Sequence, residues 1–102
     1  MRAERLLTLS SAARRLTDMV AAAEEPLRFE VLRHALRTSE EDAIDALNDA
    51  MAAGLVRRGD DPHSYVPADD ATAAAIREGW DGDRLARLRA QIAAAKARVY
   101  ET

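Results

Sequence analysis

Residues 39–67 read SEEDAIDALNDAMAAGLVRRGDDPHSYVP, and the pattern of this stretch changes at Gly54. Before Gly54, apolar residues recur at helical spacing, which predicts an amphipathic helix that ends at about Ala53. Its apolar stripe comprises Ala43, Ile44, Leu47 and Met51. Ser39 precedes three acidic residues, so its hydroxyl can cap the helix while the acids complement the positive helix end. Gly54 suits the left-handed conformation that ends many helices.

The residues that follow Gly54 carry the strand signal of the chain. Residues 55–58 and 64–67 are short runs with β-branched and aromatic side chains, and the polar segment 59–63 lies between them. This pattern predicts two strands joined by a turn. A single hairpin is not stable alone in water, so we expect it to lie against helices.

Two further helices are predicted on the N-terminal side. The first covers residues 3–23 and ends before Pro26, a residue that is tolerated in the first turn of the next helix. Its apolar stripe comprises Leu6, Leu9, Ala13, Leu16, Val20 and Ala23. The second helix covers about 27–37. Its expected buried side comprises Phe29, Val31, Leu32, Ala35 and Leu36.

Two more helices are predicted on the C-terminal side. Asp69 or Asp70 can cap a fourth helix over about 69–79, and Asp83 can cap a last, amphipathic helix over 83–101. Trp80 follows the fourth helix, and we expect it to cover the edge of the core there.

The last helix carries the seam of a short coiled coil. The seam comprises Leu85, Leu88, Ile92, Ala95 and Val99, at alternating spacings of three and four. Five positions are too few for an independent dimer, so this helix needs a partner. We expect the partner to be the similar stripe on the first helix, which includes Leu9 and Leu16, either within one chain or across a two-fold axis. We expect a homodimer formed through these helices.

The order of these elements resembles a winged helix-turn-helix domain over about residues 6–67. The resemblance is carried by the helix with the sequence FEVLRHAL at 29–36, by the helix that Ser39 begins, and by the exit Ala-Gly-Leu-Val at 53–56. This exit resembles that of MarR-like and PadR-like transcription regulators and of the winged helices of signal-transducing AAA-type ATPases. A generic helical bundle with an incidental hairpin is the alternative.

The resemblance implies one domain over residues 1–102, mainly α with a small β-hairpin wing and with flanking N- and C-terminal helices. In the regulators, the third helix enters the DNA major groove, the wing touches the DNA backbone and terminal helices form the dimer. In the ATPases, the same fold is mostly a protein-contact element. The two families therefore imply different partners for the third helix.

The third helix departs from the DNA-binding pattern in its charge. Its outward face comprises Glu40, Glu41, Asp42, Asp45, Asn48 and Asp49, and the sequence has no Lys or Arg between Ser39 and Gly54. Affinity for duplex DNA comes largely from cations that displace counterions from the phosphates, so these acids oppose DNA binding. We therefore expect a regulatory protein-interaction module that places Glu40, Glu41, Asp45 and Asp49 against a basic partner surface.

The net charge of -3 conceals an uneven distribution. Residues 24–83 hold six Arg against fifteen acids, whereas the segments 1–23 and 84–102 are basic. The alternative function is therefore a small dimeric DNA-binding regulator that uses Arg37, Arg57, Arg58 and the basic terminal helices. A purely structural subunit of a larger assembly is a third, weaker hypothesis.

The sequence offers no pattern for catalysis, metal binding or membrane insertion. It has no cysteine, no glycine-rich phosphate loop and no nucleophile motif, and its two histidines, His34 and His63, lie far apart. It also has no apolar run near the length that spans a bilayer. We expect a cytoplasmic protein without enzyme activity, cofactor or metal, and without contact to a membrane.

Overall fold

The computed structural model of the chain describes residues 9–100, which form five helices and a three-stranded sheet. In chain order the elements are α1 (Ser11–Ala22), β1 (Leu27–Arg28), α2 (Phe29–Leu36), α3 (Glu40–Ala52), β2 (Val56–Arg58), β3 (Ser64–Pro67), α4 (Asp70–Arg77) and α5 (Gly82–Tyr100). The predicted fold class, mainly α with a small β wing, is confirmed. Leu6 of the predicted first stripe lies outside the described residues.

Side-chain caps begin four of the five helices of residues 9–100, and those at Ser39 and Asp69 were predicted, whereas Ser10 caps α1 inside the range 3–23 that was predicted as one helix. The Ser39 hydroxyl accepts a hydrogen bond from the Asp42 amide at 3.1 Å, and an Asp69 carboxylate oxygen accepts one from the Thr72 amide at 2.7 Å. The predicted cap of the last helix was wrong. Asp81 accepts from the Arg84 amide at 2.7 Å, because it precedes the first turn, whereas Asp83 lies inside that turn.

The end of α3 has the backbone conformation that the sequence predicted. Gly54 adopts a φ of +76°, in the left-handed region. Its amide donates to the carbonyl oxygen of Met51 at 3.0 Å, and the Leu55 amide donates to that of Ala50 at 3.1 Å. These two bonds form a Schellman motif, which turns the chain from α3 into the wing.

The sheet contains one strand that the sequence analysis missed. The strand order is β1-β3-β2, all antiparallel, with Leu27 opposite Tyr65 and Arg57 opposite Val66. Residues 27 and 28 were predicted as the first turn of the second helix. They are extended instead, because the extended backbone pairs with β3 and places the Leu27 side chain in the core.

The centre of the molecule is α1, which contacts α3, α4, α5 and β3, while α5 packs against both α1 and α2. Every residue of α1 from 16 to 22 is buried. Thr17 is among them, and its hydroxyl donates to the carbonyl oxygen of Ala13 at 2.8 Å, which satisfies its polar group. The flanking helices therefore form one core with the winged segment.

The predicted seam of α5 lies in this core within one chain. Ile92 and Ala95 are buried, and Leu85, Leu88 and Val99 pack against the core while remaining partly exposed. Leu16 of α1 is buried, and Leu9, which precedes that helix, is partly buried against the same core. The sequence allowed the two helices to pair either within one chain or across a two-fold axis, and the structure shows the pairing within one chain. A homodimer through this seam stays a prediction.

One residue of the predicted α3 stripe faces outward. Ile44 is 42% exposed, and Ala46 and Ala50 are buried in its place. Their small side chains let α3 approach α1 closely, so the buried face is centred on alanines rather than on Ile44. On α2, Phe29 and Ala35 are only partly buried, whereas the other predicted positions are in the core.

The intrachain packing of α5 predicts the effect of Ile92→Ala. The substitution removes buried apolar atoms and leaves a cavity, so we expect the free energy of unfolding to fall by about 3 kcal/mol. Urea unfolding followed by circular dichroism measures this loss, with the exposed Arg87→Ala as the matched control. A loss that disappears on dilution would show that Ile92 packs between chains instead.

Candidate protein-interaction surface

The outward side of α3 carries all the acids that the sequence placed there. Each of them is exposed, because the opposite side of the helix is buried against α1. Within residues 9–100, no ion pair involves any of these carboxylates. The acidic face is defined here as Glu40, Glu41, Asp42, Ile44, Asp45, Asn48 and Asp49. It is therefore a negatively charged surface that the described part of the chain does not neutralise.

Ile44 gives the acidic face an apolar centre. On a helix, Glu40, Glu41 and Asn48 are its neighbours at spacings of three and four. An exposed branched aliphatic side chain within a charged face is suited to enter an apolar depression on a partner. The helical spacing predicted Ile44 in the buried stripe, but the buried side of α3 comprises Ala43, Ala46, Leu47 and Ala50 instead.

The turn of the wing carries negative charge. Asp60 and Asp61 lie in its turn, and both are exposed. Asp61 accepts a hydrogen bond from the His63 amide at 2.9 Å and pairs with Arg28 of β1 at 2.9 Å. The bond from the His63 amide and the nearby Arg28 charge lower the pKa of Asp61. Its carboxylate is therefore held in the charged form and fixes the turn to β1.

The three arginines predicted to contact DNA do not form one patch. The Arg57 guanidinium donates to the carbonyl oxygens of Ala68 and Arg58, each at 3.1 Å, so it lies along the wing backbone. Arg57 lines a groove beside the sheet, whereas Arg37 lines another between α2 and α5. Arg58 is exposed and lines neither of these grooves.

The basic last helix uses most of its cations inside the chain. Arg84 pairs with Asp18 at 2.8 Å, Arg89 pairs with Glu24 at 3.0 Å, and Lys96 pairs with Glu25. These three acids lie on α1 and on the segment that follows it. The positive charge that the sequence analysis counted at the C-terminal end therefore holds α5 against the rest of the domain.

Arginines also satisfy carbonyl groups at helix C-termini. Arg77 donates to the Ala21 carbonyl oxygen at 3.1 Å and Arg89 donates to that of Ala22 at 3.0 Å, both at the end of α1. At the end of α2, Arg15 donates to the Leu36 carbonyl oxygen at 3.2 Å. A cation at this end also interacts favourably with the helix dipole. No sequence signal indicated these bonds, because their partners are distant along the chain.

Asp18 is a carboxylate within the core. Its side chain is only 11% exposed, and its partner Arg84 also stacks over the Trp80 ring, 4.9 Å from the ring centroid. Burial raises the pKa of Asp18, and the charges of Arg84 and Arg14 offset only part of that effect. Trp80 packs against the core edge, where the sequence predicted it.

Neither histidine is part of a cluster of metal-ligating side chains. His34 is partly buried on α2 and His63 is exposed in the wing turn. In the part of the chain from 9 to 100, no three His, Asp or Glu side chains converge as metal ligands do. None of the helices in that part combines the length and hydropathy that crossing a membrane requires.

No protein-family model, curated protein or solved structure matches the chain. Among the surfaces described above, the acidic face of α3 carries the most charge of one sign.

The buried Asp18 predicts a pH-dependent stability. Because its pKa is raised in the folded chain, the folded state holds the proton more tightly than the unfolded state does. Ionisation of Asp18 should therefore lower the free energy of unfolding as pH rises above about 4. The free energy of unfolding of the wild type minus that of Asp18→Asn is expected to decrease as pH rises, and to become constant above the pKa of Asp18 in the folded chain.

Urea unfolding at a series of pH values measures this difference. Asp61 and Asp69, whose pKa values are lowered by hydrogen bonds from backbone amides, contribute stability that is lost as pH falls. Their effect is common to both proteins and cancels in the difference. A difference that rises with pH would mean that the ion pair with Arg84 outweighs the burial of Asp18.

Proposed function

We propose that this chain is a non-enzymatic, regulatory winged-helix module that acts through protein contacts, with the acidic face of α3 directed at a basic partner surface. The observation that carries the proposal is the unpaired state of the acidic face. Within residues 9–100, its five carboxylates have no ion-pair partner, although the chain is rich in arginine. A cytoplasmic location, expected from the composition, belongs to the same proposal.

The physical advantage of such a face lies in encounter and orientation. Clustered charges of one sign attract a surface of the opposite sign and raise the association rate, and they exclude partners of like charge. Net affinity from exposed ion pairs is small, so a charged face gains from an apolar contact at its centre. Ile44 supplies that contact in this chain.

The DNA-binding alternative has one favourable observation, which is the exposure of Arg37 and Arg58. The positions of the other charges oppose it. The helix that would enter the major groove is acidic, the wing turn carries Asp60 and Asp61, and three of the five cations of α5 pair with acids of the same chain. Phosphates would meet carboxylates on both elements that contact DNA in this fold.

Site-specific photo-crosslinking tests the protein-contact proposal. A photoreactive residue in place of Asn48, at the centre of the acidic face, is expected to form adducts with a basic protein. The same residue in place of Ala74, exposed on α4, is the positional control. Asp45→Lys with Asp49→Lys should abolish the adduct at position 48, because it reverses the charge that attracts the partner.

Asp60→Lys with Glu78→Lys is the matched control for this reversal. It changes the net charge by the same amount at two exposed positions away from α3, and it should leave the adduct unchanged. Mass spectrometry identifies the adducts, and circular dichroism confirms that each variant is folded. Equal adducts at positions 48 and 74, or an adduct that survives reversal of the acidic face, would contradict the proposal.

A titration of random duplex DNA at several salt concentrations tests the alternative. From the acidic α3 we expect no binding at about 10 µM protein, even at low salt. If binding is observed, the logarithm of affinity should fall steeply with the logarithm of salt concentration. Arg57→Ala with Arg58→Ala should then reduce that slope by about two, since each lost phosphate contact lowers it by about one. That result would favour the DNA-binding regulator over the protein-contact module.

A further inference from the structure

A second charged surface, of positive sign, lies between α2 and α5. It is a groove of about 520 Å³, and among residues 9–100 the charged side chains that line it are those of Arg15, Arg37 and Arg98. The grooves beside the wing and beside Trp80, by contrast, are lined by residues of both signs. We name this surface the arginine groove.

The floor of the arginine groove is made of small residues. Ala35 of α2 and Ala90, Ala94 and Ala95 of α5 line it, together with Gln91. Alanine side chains leave room for an apolar group to enter between the two helices. At the rim, Arg37 is exposed, and its planar guanidinium group can bind a carboxylate through two hydrogen bonds, while Arg15, which donates to the Leu36 carbonyl oxygen, adds positive charge beside it. The groove therefore fits an acidic helix that carries one protruding aliphatic side chain.

The acidic face of α3 has this composition. Ile44 protrudes from it, and Glu40, Glu41 and Asn48 are the neighbours of Ile44 on the helix surface. We propose that the acidic face of one chain docks into the arginine groove of a second copy, with Ile44 against the alanines and the carboxylates against the arginines. This inference rests on the proposed function, because it identifies the basic partner surface as one on the same protein.

The positions of the two surfaces in the chain favour a closed dimer. The arginine groove reaches Arg37, which ends α2, and the acidic face begins at Glu40, the first residue of α3. Three residues span at most about 11 Å, so the two surfaces adjoin. In the proposed dimer, a two-fold axis passes near Thr38, so that each acidic face meets the partner's groove and the contact occurs twice. Such a dimer leaves the seam of α5 in its intrachain position.

Charge-reversal variants test this arrangement by complementation. Glu41→Arg with Asp45→Arg makes the α3 face basic, and Arg37→Glu with Gln91→Glu makes the groove acidic. Each variant alone brings like charges together, so its self-association should be weaker than that of the wild type by about tenfold or more. An equal mixture of the two restores opposite charges at both contacts, and it should dimerise like the wild type.

Sedimentation velocity up to about 100 µM protein measures association, a range that detects a weak dimer. The wild-type dimer should dissociate as salt is raised, because the pairs are exposed. Circular dichroism and urea unfolding confirm that both variants are folded. A wild type that stays monomeric, or charge-reversed variants that dimerise normally, would overturn the inference.

Disulfide trapping gives an independent measurement, because the chain has no cysteine of its own. A mixture of the Ile44→Cys and Ala94→Cys chains should form a disulfide-linked dimer under mild oxidation, and Ala74→Cys with Ala94→Cys is the control pair. If the first pair forms the disulfide no faster than the control pair does, the inference is also overturned.

The results separate this inference from the proposed function. A wild type that stays monomeric while position 48 crosslinks to another basic protein would refute the dimer and support the protein-contact module. Loss of both self-association and every adduct at position 48 would refute both.

Discussion

The second half of α1 is enclosed by protein on every side, and the rest of the domain is built around this constraint. All residues from 16 to 22 are buried. A buried helix end leaves carbonyl oxygens without partners unless side chains supply donors. Arg77 of α4 and Arg89 of α5 donate to the last carbonyls of α1. The two C-terminal helices therefore do more than cover apolar surface, since each brings the cation that makes burial of this helix end tolerable.

The same constraint explains where the charges of the chain are found. Arg77 of α4 and Arg84 and Arg89 of α5 contact carbonyls or acids of residues 18–25, so they contribute to cohesion of the domain. The acids of α3 have no such task, because Ser39 already caps the helix and alanines form its buried face. These arginines therefore stabilise the fold, whereas the acids of α3 are exposed on the surface. This division leaves the outward side of α3 as an exposed surface of one sign.

Local chemistry was predictable from the sequence, and long-range pairing was not. The cap at Ser39, the left-handed Gly54 and the acidic side of α3 follow from neighbouring residues alone. Strand β1 escaped prediction because Leu27 extends only to pair with Tyr65, a residue distant in sequence. Ile44 was predicted in the core but is exposed, because Ala46 and Ala50 form the close contact with α1 instead. The arginine groove was also missed, since its residues come from three helices that only the fold brings together.

The Asp18, Arg84 and Trp80 arrangement gives the domain an optical reporter at one defined place. Trp80 is the single tryptophan of the chain, and the guanidinium stacked on its ring is held by a carboxylate of α1. Its fluorescence therefore follows the seating of the first turn of α5, whereas far-ultraviolet circular dichroism follows all the helices. Parts of a domain can open before the whole domain unfolds. Comparison of the two signals would reveal whether α5 leaves α1 as a separate step or only when the whole domain unfolds.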